Sequence, residues 1–288
     1  MTISDLRRKY HQRISDEIIR IRISKTGEKY PNFADVSNPR SISISFSIMR
    51  QLRYTTNETE LSEQSAGRLF EQATCDFLEQ AFRSLSHLRP GHWLYKTTDT
   101  DISTFEQYEH LASVAAILKS NKDLASALGS DYVVKPDIII ARYSVSDKEI
   151  NSREALVDDT VGIVSFTPLR ECNRQQPSPI LHASISCKWT IRSDRSQNTR
   201  TEALNLIRNR KGHLPHVVAV TAEPLPTRIA TLALGTGDLD CVYHFALPEL
   251  SQAVKETHNT EDQWDMLCTM IEGRRLRDIS DLPFDLAV

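Results

Sequence analysis

Residues 62–85 carry the clearest periodic pattern in the chain. Ala66, Leu69, Phe70, Ala73, Phe77, Leu78, Ala81 and Phe82 recur at spacings of three and four, which places them on one face of a helix. Glu71 falls at the edge of that face. Helices are also predicted for a short charged N-terminal segment, for 104–119, for a short stretch before Gly129 and for 249–272. Another is predicted for 199–210, where Gly212 and Pro215 supply stop signals.

Strand patterns occupy other stretches. Residues 41–49, SISISFSIM, alternate serine with apolar residues at period two, which predicts a half-buried strand. Residues 133–142 (VVKPDIIIAR), 180–189 (ILHASISCKW) and 216–223 (HVVAVTAE) are short apolar runs rich in β-branched residues. Residues 228–234 and 241–245 complete the predicted strands. Tyr30-Pro31-Asn32 and Asn38-Pro39 mark turns or extended loops, and 144–160 reads as a polar loop. This mixture predicts an α/β fold, a mixed central β-sheet flanked by α-helices. No repeat, low-complexity tract or linker divides the 288 residues, so one domain spanning 1–288 is expected.

Composition removes several classes. Forty per cent apolar and 25% charged residues describe an ordinary globular protein. No run approaches the ~20 apolar residues that span a bilayer, and the charged N-terminus lacks the apolar segment of a secretory signal. The cysteines at 75, 172, 187, 241 and 268 are odd in number and show no CxxC spacing. Disulfides and a thiolate zinc site are not expected, and a reducing cytoplasm fits. Asn57-Glu58-Thr59 is a chance glycosylation sequon in that setting. No GxxxxGK[ST], GxSxG or HExxH motif occurs. His213 and His216 flank a proline turn and read as surface residues or phosphate contacts; the glycines of 233–237 read as a turn. The three tryptophans read as core.

The net charge of −3 is unevenly spread. Residues 1–53 hold eleven Lys and Arg against five Asp and Glu, and residues 192–211 hold six against two. A sequence-specific DNA enzyme needs a local positive cleft rather than a basic whole. On charge alone, a solvated surface of mixed charge is the simpler reading.

Chemistry concentrates between Ile185 and Glu202, in ISCKWTIRSDRSQNTRTE. Ser186 and Lys188 are two apart on a predicted strand, so their side chains share a face. Asp137 opens an earlier strand directly after Pro136. If those strands are neighbours, Asp137, Ser186 and Lys188 converge. Phosphodiester hydrolysis needs carboxylates for Mg²⁺, an activated water and a positive group near the phosphate. Nuclease sites of this layout usually place a second acid two residues before the lysine, where this chain has Ser186. Glu202, on the following helix, could supply the missing carboxylate, with Glu71 as an outer member of the cage. Taken singly, each residue has a plainer role: a turn cap for Asp137, an edge charge for Lys188, a dipole partner for Glu202, a surface position for Glu71. Arg192, Asp194 and Arg195 follow at once. Arginine can bond guanine O6 and N7 together, and aspartate can accept from the cytosine amino group, so the cluster suits a G·C-rich major-groove target. Alone, it would read as an exposed loop of ion pairs.

The order Pro136-Asp137, Ser186-Cys187-Lys188, Arg192-Ser193-Asp194-Arg195, Glu202 resembles the type II restriction endonucleases of the PD-(D/E)xK class that recognise a CCGG core. The likeness is densest over residues 184–247 and runs more loosely to Glu71 and the N-terminal region. The displaced acid is itself a mark of that family. The resemblance implies a restriction-endonuclease core with Asp137, Lys188 and Glu202 in catalysis, assisted by Ser186 and Glu71. It implies Mg²⁺, two ions per active site, held by Asp137, Glu202 and Glu71. It assigns Arg192, Asp194 and Arg195 to CCGG, Gln64 to the central base pairs from the minor groove, and Asp35 and Arg228 to the outer pair. GCCGGC is then the first choice of site, cut before the first C to leave 5′-phosphates and CCGG 5′ overhangs. A homotetramer engaging two DNA sites is implied on the same basis. A structure-specific or repair nuclease and a non-catalytic DNA-binding regulator are the competing readings.

Overall fold

The computed structural model describes residues 1–53, 60–97, 100–121, 123, 126, 134–158, 164–171, 177–191, 193–235 and 237–288, with 193–196 described by backbone alone. Arg192, the sequon at 57–59, Cys172 and the helix expected before Gly129 lie outside the described residues. In chain order the helices are α1 (Ile3–Glu17), α2 (Pro39–Gln51), α3 (Glu63–Ser84), α4 (His110–Ser120), α5 (Asp147–Ile150), α6 (Ser193–Asn209), α7 (Pro226–Ala233), α8 (Leu247–Glu256), α9 (Glu261–Glu272) and α10 (Leu282–Asp285). The strands are β1 (Ile21–Ile23), β2 (Lys29–Pro31), β3 (Trp93–Thr97), β4 (Ile138–Arg142), β5 (Ile180–Lys188), β6 (His216–Thr221), β7 (Cys241–His244) and β8 (Leu276–Asp278).

β1 and β2 pair antiparallel, and the remaining strands form one sheet in the order β3-β4-β5-β6-β7-β8. β3 runs antiparallel to β4, from Trp93 opposite Arg142 to Thr97 opposite Ile138. β6, β7 and β8 run parallel. The sheet is therefore mixed and the fold is α/β, as expected.

The chain divides into two compact units. The first holds residues 1–89, 185–203 and 217–288; the second holds 90–184 and 204–216. In the first, α1 packs on α3, with Tyr10 and Phe77 ring centroids 5.2 Å apart and the Tyr10 hydroxyl 2.9 Å from that of Thr74. Arg7 is bonded to both Glu249 and Asp278, joining α1 to α8 and β8. In the second, the Gln107 side chain bonds both the N–H and C=O of Leu181, and the His182 ring meets those of Trp93 and His216 edge to face.

α3 buries the predicted face except Leu69, which is only half-buried, and adds Thr74 and Cys75 to it; Ser62 caps the Ser65 N–H at 3.1 Å. Four expectations fail. Residues 41–49 are not a strand but lie within α2, which Asn38 caps and Pro39 starts. Serine is small enough to be buried: Ser41, Ser45 and Ser47 sit inside alongside Ile42, Ile44 and Ile48, so the alternation of residue type carried no facing information. Residues 228–234 lie mostly in α7, where Pro226 at the first turn sets a helical φ and Ile229, Leu232 and Ala233 form the buried face. The terminal helix expected over 249–272 is two, α8 and α9, broken where Asn259 takes a φ of 57° and the Thr260 hydroxyl bonds Val254 C=O. β8 and α10 follow them. The helix expected over 104–119 begins as two 3-10 turns and becomes α-helical only at His110. β3 lay hidden in WLYKT, which is too short and mixed to stand out.

Candidate active site

Four of the five expected catalytic residues fall in the first unit. Ser186 and Lys188 are half-buried and share a face at the end of β5, with buried Cys187 between them on the other. The Lys188 C=O accepts the Thr221 hydroxyl at 2.8 Å and the Ala222 N–H at 3.2 Å, so the end of β5 is tied to the end of β6. Glu71 is half-buried on α3, directly after fully buried Phe70, and Glu202 is half-buried on α6 between Thr199 and Ala203, both buried.

An aromatic cluster lies among these segments. Trp189, next to Lys188, has its ring 5.2 Å from Phe70 and 5.6 Å from Phe33, and Phe245 adjoins both Phe33 and Trp189. Phe70 precedes Glu71, and Phe33 lies two residues before Asp35. Aromatic pairs add about 0.5–1.5 kcal/mol each beyond their burial. The cluster thus holds the segments bearing Lys188, Glu71 and Asp35 in one neighbourhood.

Asp35 and Arg228 form an ion pair, although 193 positions separate them in sequence. Asp35 also accepts from the Ser37 N–H at 2.9 Å and the Ser37 hydroxyl at 2.7 Å. Burial would raise its carboxyl; the Ser37 bonds and the Arg228 guanidinium outweigh that and hold it below the usual carboxylate range. Gln64 is exposed in the first turn of α3. Asp194 and Arg195 fall in the first turn of α6, which begins six residues before the helix expected at Thr199. Arg200, also in that basic stretch, is engaged otherwise: its guanidinium bonds the Leu234 C=O and fills the space a Cβ on Gly235 would need. Gly235 and Gly237 both have positive φ, but they follow a helix, not a strand, so the turn expected there is not a hairpin.

Asp137 belongs to the second unit, half-buried between buried Pro136 and the start of β4. Carboxylates of Asp137, Glu202 and Glu71 are hard oxygen donors of the type Mg²⁺ selects. Among the described residues, no group of three or more His, Cys, Asp or Glu is gathered closely enough to hold a metal ion. Cys75, Cys241 and Cys268 are free thiols, and no described helix is long and apolar enough to cross a membrane.

Sequence reasoning passed over Thr221, Glu223 and Ile191. Glu223 is 1% exposed and its carboxylate accepts the Ile191 N–H at 2.9 Å and the Leu225 N–H at 3.2 Å. Burial pushes its carboxyl up to about 7, against the Ile191 and Leu225 N–H groups and Arg228. The signal was available: a lone acid closing an apolar strand, HVVAVTAE.

Known proteins resemble this chain as follows. The sequence model of the NgoMIV restriction enzyme family matches residues 10–288. The type II restriction enzyme NgoMIV of Neisseria gonorrhoeae is 48% identical over 286 residues, 98% of this chain and 97% of its own. Two solved structures are far looser matches. The type IIF restriction endonuclease Bse634I with cognate DNA is 12% identical, with a TM-score of 0.39 over 88% of this chain and 98% of that one. The PspGI–substrate DNA complex is 15% identical, with a TM-score of 0.31 over 99% and 92%. Likeness at that level carries no weight beside the sequence matches. Those matches run almost end to end, and the chain belongs to the NgoMIV restriction enzyme family of type II restriction enzymes, site-specific deoxyribonucleases.

Proposed function

We propose that this protein cuts double-stranded DNA at GCCGGC in a Mg²⁺-dependent reaction, before the first C of the core, leaving 5′-phosphates and CCGG 5′ overhangs. The observation that supports this most is the 48% identity along 98% of the chain; this chain carries Asp137, Ser186, Lys188, Arg192, Asp194, Arg195 and Glu202 in that order. Asp137 and Glu202 would hold the metal, with Glu71 in its outer surroundings, and two ions serve each site. Bound Mg²⁺ would supply positive charge to the phosphate oxygens and acidify a water. Lys188 orients the attacking water and balances charge on the scissile phosphate. Its backbone tie to Thr221 restricts where the ammonium can reach. Ser186, in place of an acid, leaves Glu202 as the carboxylate that completes the set. The water oxygen bonds to phosphorus, the bond to the 3′ oxygen breaks, and that oxygen takes up a proton.

Arg192, Asp194 and Arg195 read the CCGG core from the major groove. Gln64 contacts the central pairs from the minor groove. Asp35 and Arg228 read the outer G·C pair, trading their mutual bond for base edges. The active assembly is a homotetramer that engages two sites. Digestion of a sequenced plasmid with Mg²⁺, followed by mapping of the ends, tests the whole reading. Discrete fragments with CCGG 5′ overhangs are expected; random degradation, or binding with no cleavage, would overturn it.

A further inference from the structure

Glu223 follows β6 and is buried, where a carboxylate is costly to desolvate. Two backbone N–H groups converge on it, one per oxygen: Ile191 on Oε2 and Leu225 on Oε1. Ile191 immediately precedes the segment 192–195. Leu225 caps α7, which carries Arg228. The Glu223 N–H donates to the Thr221 hydroxyl at 3.1 Å, and that hydroxyl donates to the Lys188 C=O. Its own C=O accepts from His244 Nε2, since His244 Nδ1 accepts the Ala246 N–H. A neutral amide of the same shape offers only one acceptor to two donors.

We infer that Glu223 is a positioning residue for sequence discrimination: its carboxylate ties the start of the segment bearing Arg192, Asp194 and Arg195 to the start of the helix bearing Arg228, so that core and outer readers share one buried anchor. This rests on the base-reading assignment proposed above. Above neutral pH both oxygens accept. On protonation one becomes a donor and one tie is lost. The charged groups facing Glu223 are Arg228 on α7 and Asp35 ahead of α2, with His244 on β7 against its backbone. Asp35 stays ionised, His244 stays neutral with its pKa pushed down to about 4 by burial, and a guanidinium keeps its charge throughout.

The full-length protein is given two duplexes with Mg²⁺, one GCCGGC and one with the outer pair exchanged, ACCGGT. The readout is the ratio of kcat/KM between them, in which pH effects on the chemistry itself cancel. Glu223→Gln should lower the ratio about 10-fold, the scale of one lost base-pair contact. Hydrogen exchange at the Ile191 amide should quicken in the variant. The wild-type ratio should fall from about pH 8 to about pH 6 while the variant stays flat. A variant ratio equal to that of wild type overturns the inference. If the variant does not fold, a wild-type ratio independent of pH overturns it instead. If wild type fails to distinguish the duplexes, the base-reading assignment is what fails, and Ile191 exchange still reports whether the tie exists.

Discussion

The segment 188–191 is held through its backbone by buried groups, whereas Asp35 and Arg228 hold each other through side chains at a half-exposed surface. Thr221 and Glu223 take the C=O of Lys188 and the N–H of Ile191, and Ile191 itself is 2% exposed. The Asp35 and Arg228 side chains keep 18% and 35% of their exposure. Backbone anchoring of this kind fixes position at an energetic cost that nothing in DNA binding has to undo. A surface ion pair contributes only ~0–1 kcal/mol and can open when a better partner arrives. The first arrangement suits groups that must already be in place when the DNA arrives. The second suits readers that exchange one partner for another.

The largest test of this contrast is Lys188→Ala. Losing the positive group beside the phosphate should cost about 10³-fold in cleavage. Specific binding in Ca²⁺, followed by gel shift, should persist. A variant that cuts at the normal rate removes Lys188 from the chemistry and with it the reason for so firm an anchor. Trp189→Ala comes next, because it empties the centre of the aromatic cluster. Urea denaturation should show a loss of about 3–5 kcal/mol; a loss no larger than that of a surface substitution would mean the cluster does not hold the segment.

Glu223 gives an intermediate effect on stability. Its carboxyl rises from 4.5 to about 7 on folding, so between those values the folded protein binds more protons than the unfolded chain. That contribution is complete below about pH 4.5 and lost as pH rises through about 7, worth about 3 kcal/mol in all. Wild-type stability relative to Glu223→Gln should decline across that window when urea midpoints are compared. An equal difference at both ends would mean that the Glu223 carboxyl titrates in the fold as it does in the unfolded chain. The smallest effect belongs to Asp35 and Arg228. A double-mutant cycle with Asp35→Ala and Arg228→Ala should give a coupling of ~1 kcal/mol or less in stability, while each single change relaxes preference at the outer base pair. A large coupling would place the pair with the firmly anchored group and end the distinction.

The candidate site was legible where chemistry demands particular side chains in a particular order. Asp137, Ser186, Lys188 and Glu202 stood out because a strand-end lysine without its usual acid is an uncommon combination. The anchors around them were not legible. Thr221 and Glu223 sit more than thirty residues beyond Lys188 and Ile191, the residues they hold, and reach them only because β5 and β6 are neighbours. The α2 stretch misled for a related reason. Alternation reports facing only when the polar residues need water, and the Ser41 and Ser47 hydroxyls find the Asp35 N–H and the Glu256 carboxylate instead.

By itself the sequence determined the family, the α3 periodicity, the short apolar strands and the roster of candidate residues, since each depends on side-chain identity at short spacing. Tertiary structure alone decided that α2 and α7 are helices, that Asp35 lies against Arg228, and that Glu223 meets Ile191. Those outcomes depend on which distant surfaces bury one another. A carboxylate, an N–H or a guanidinium finds its partner only after the chain has closed around it and taken the water away.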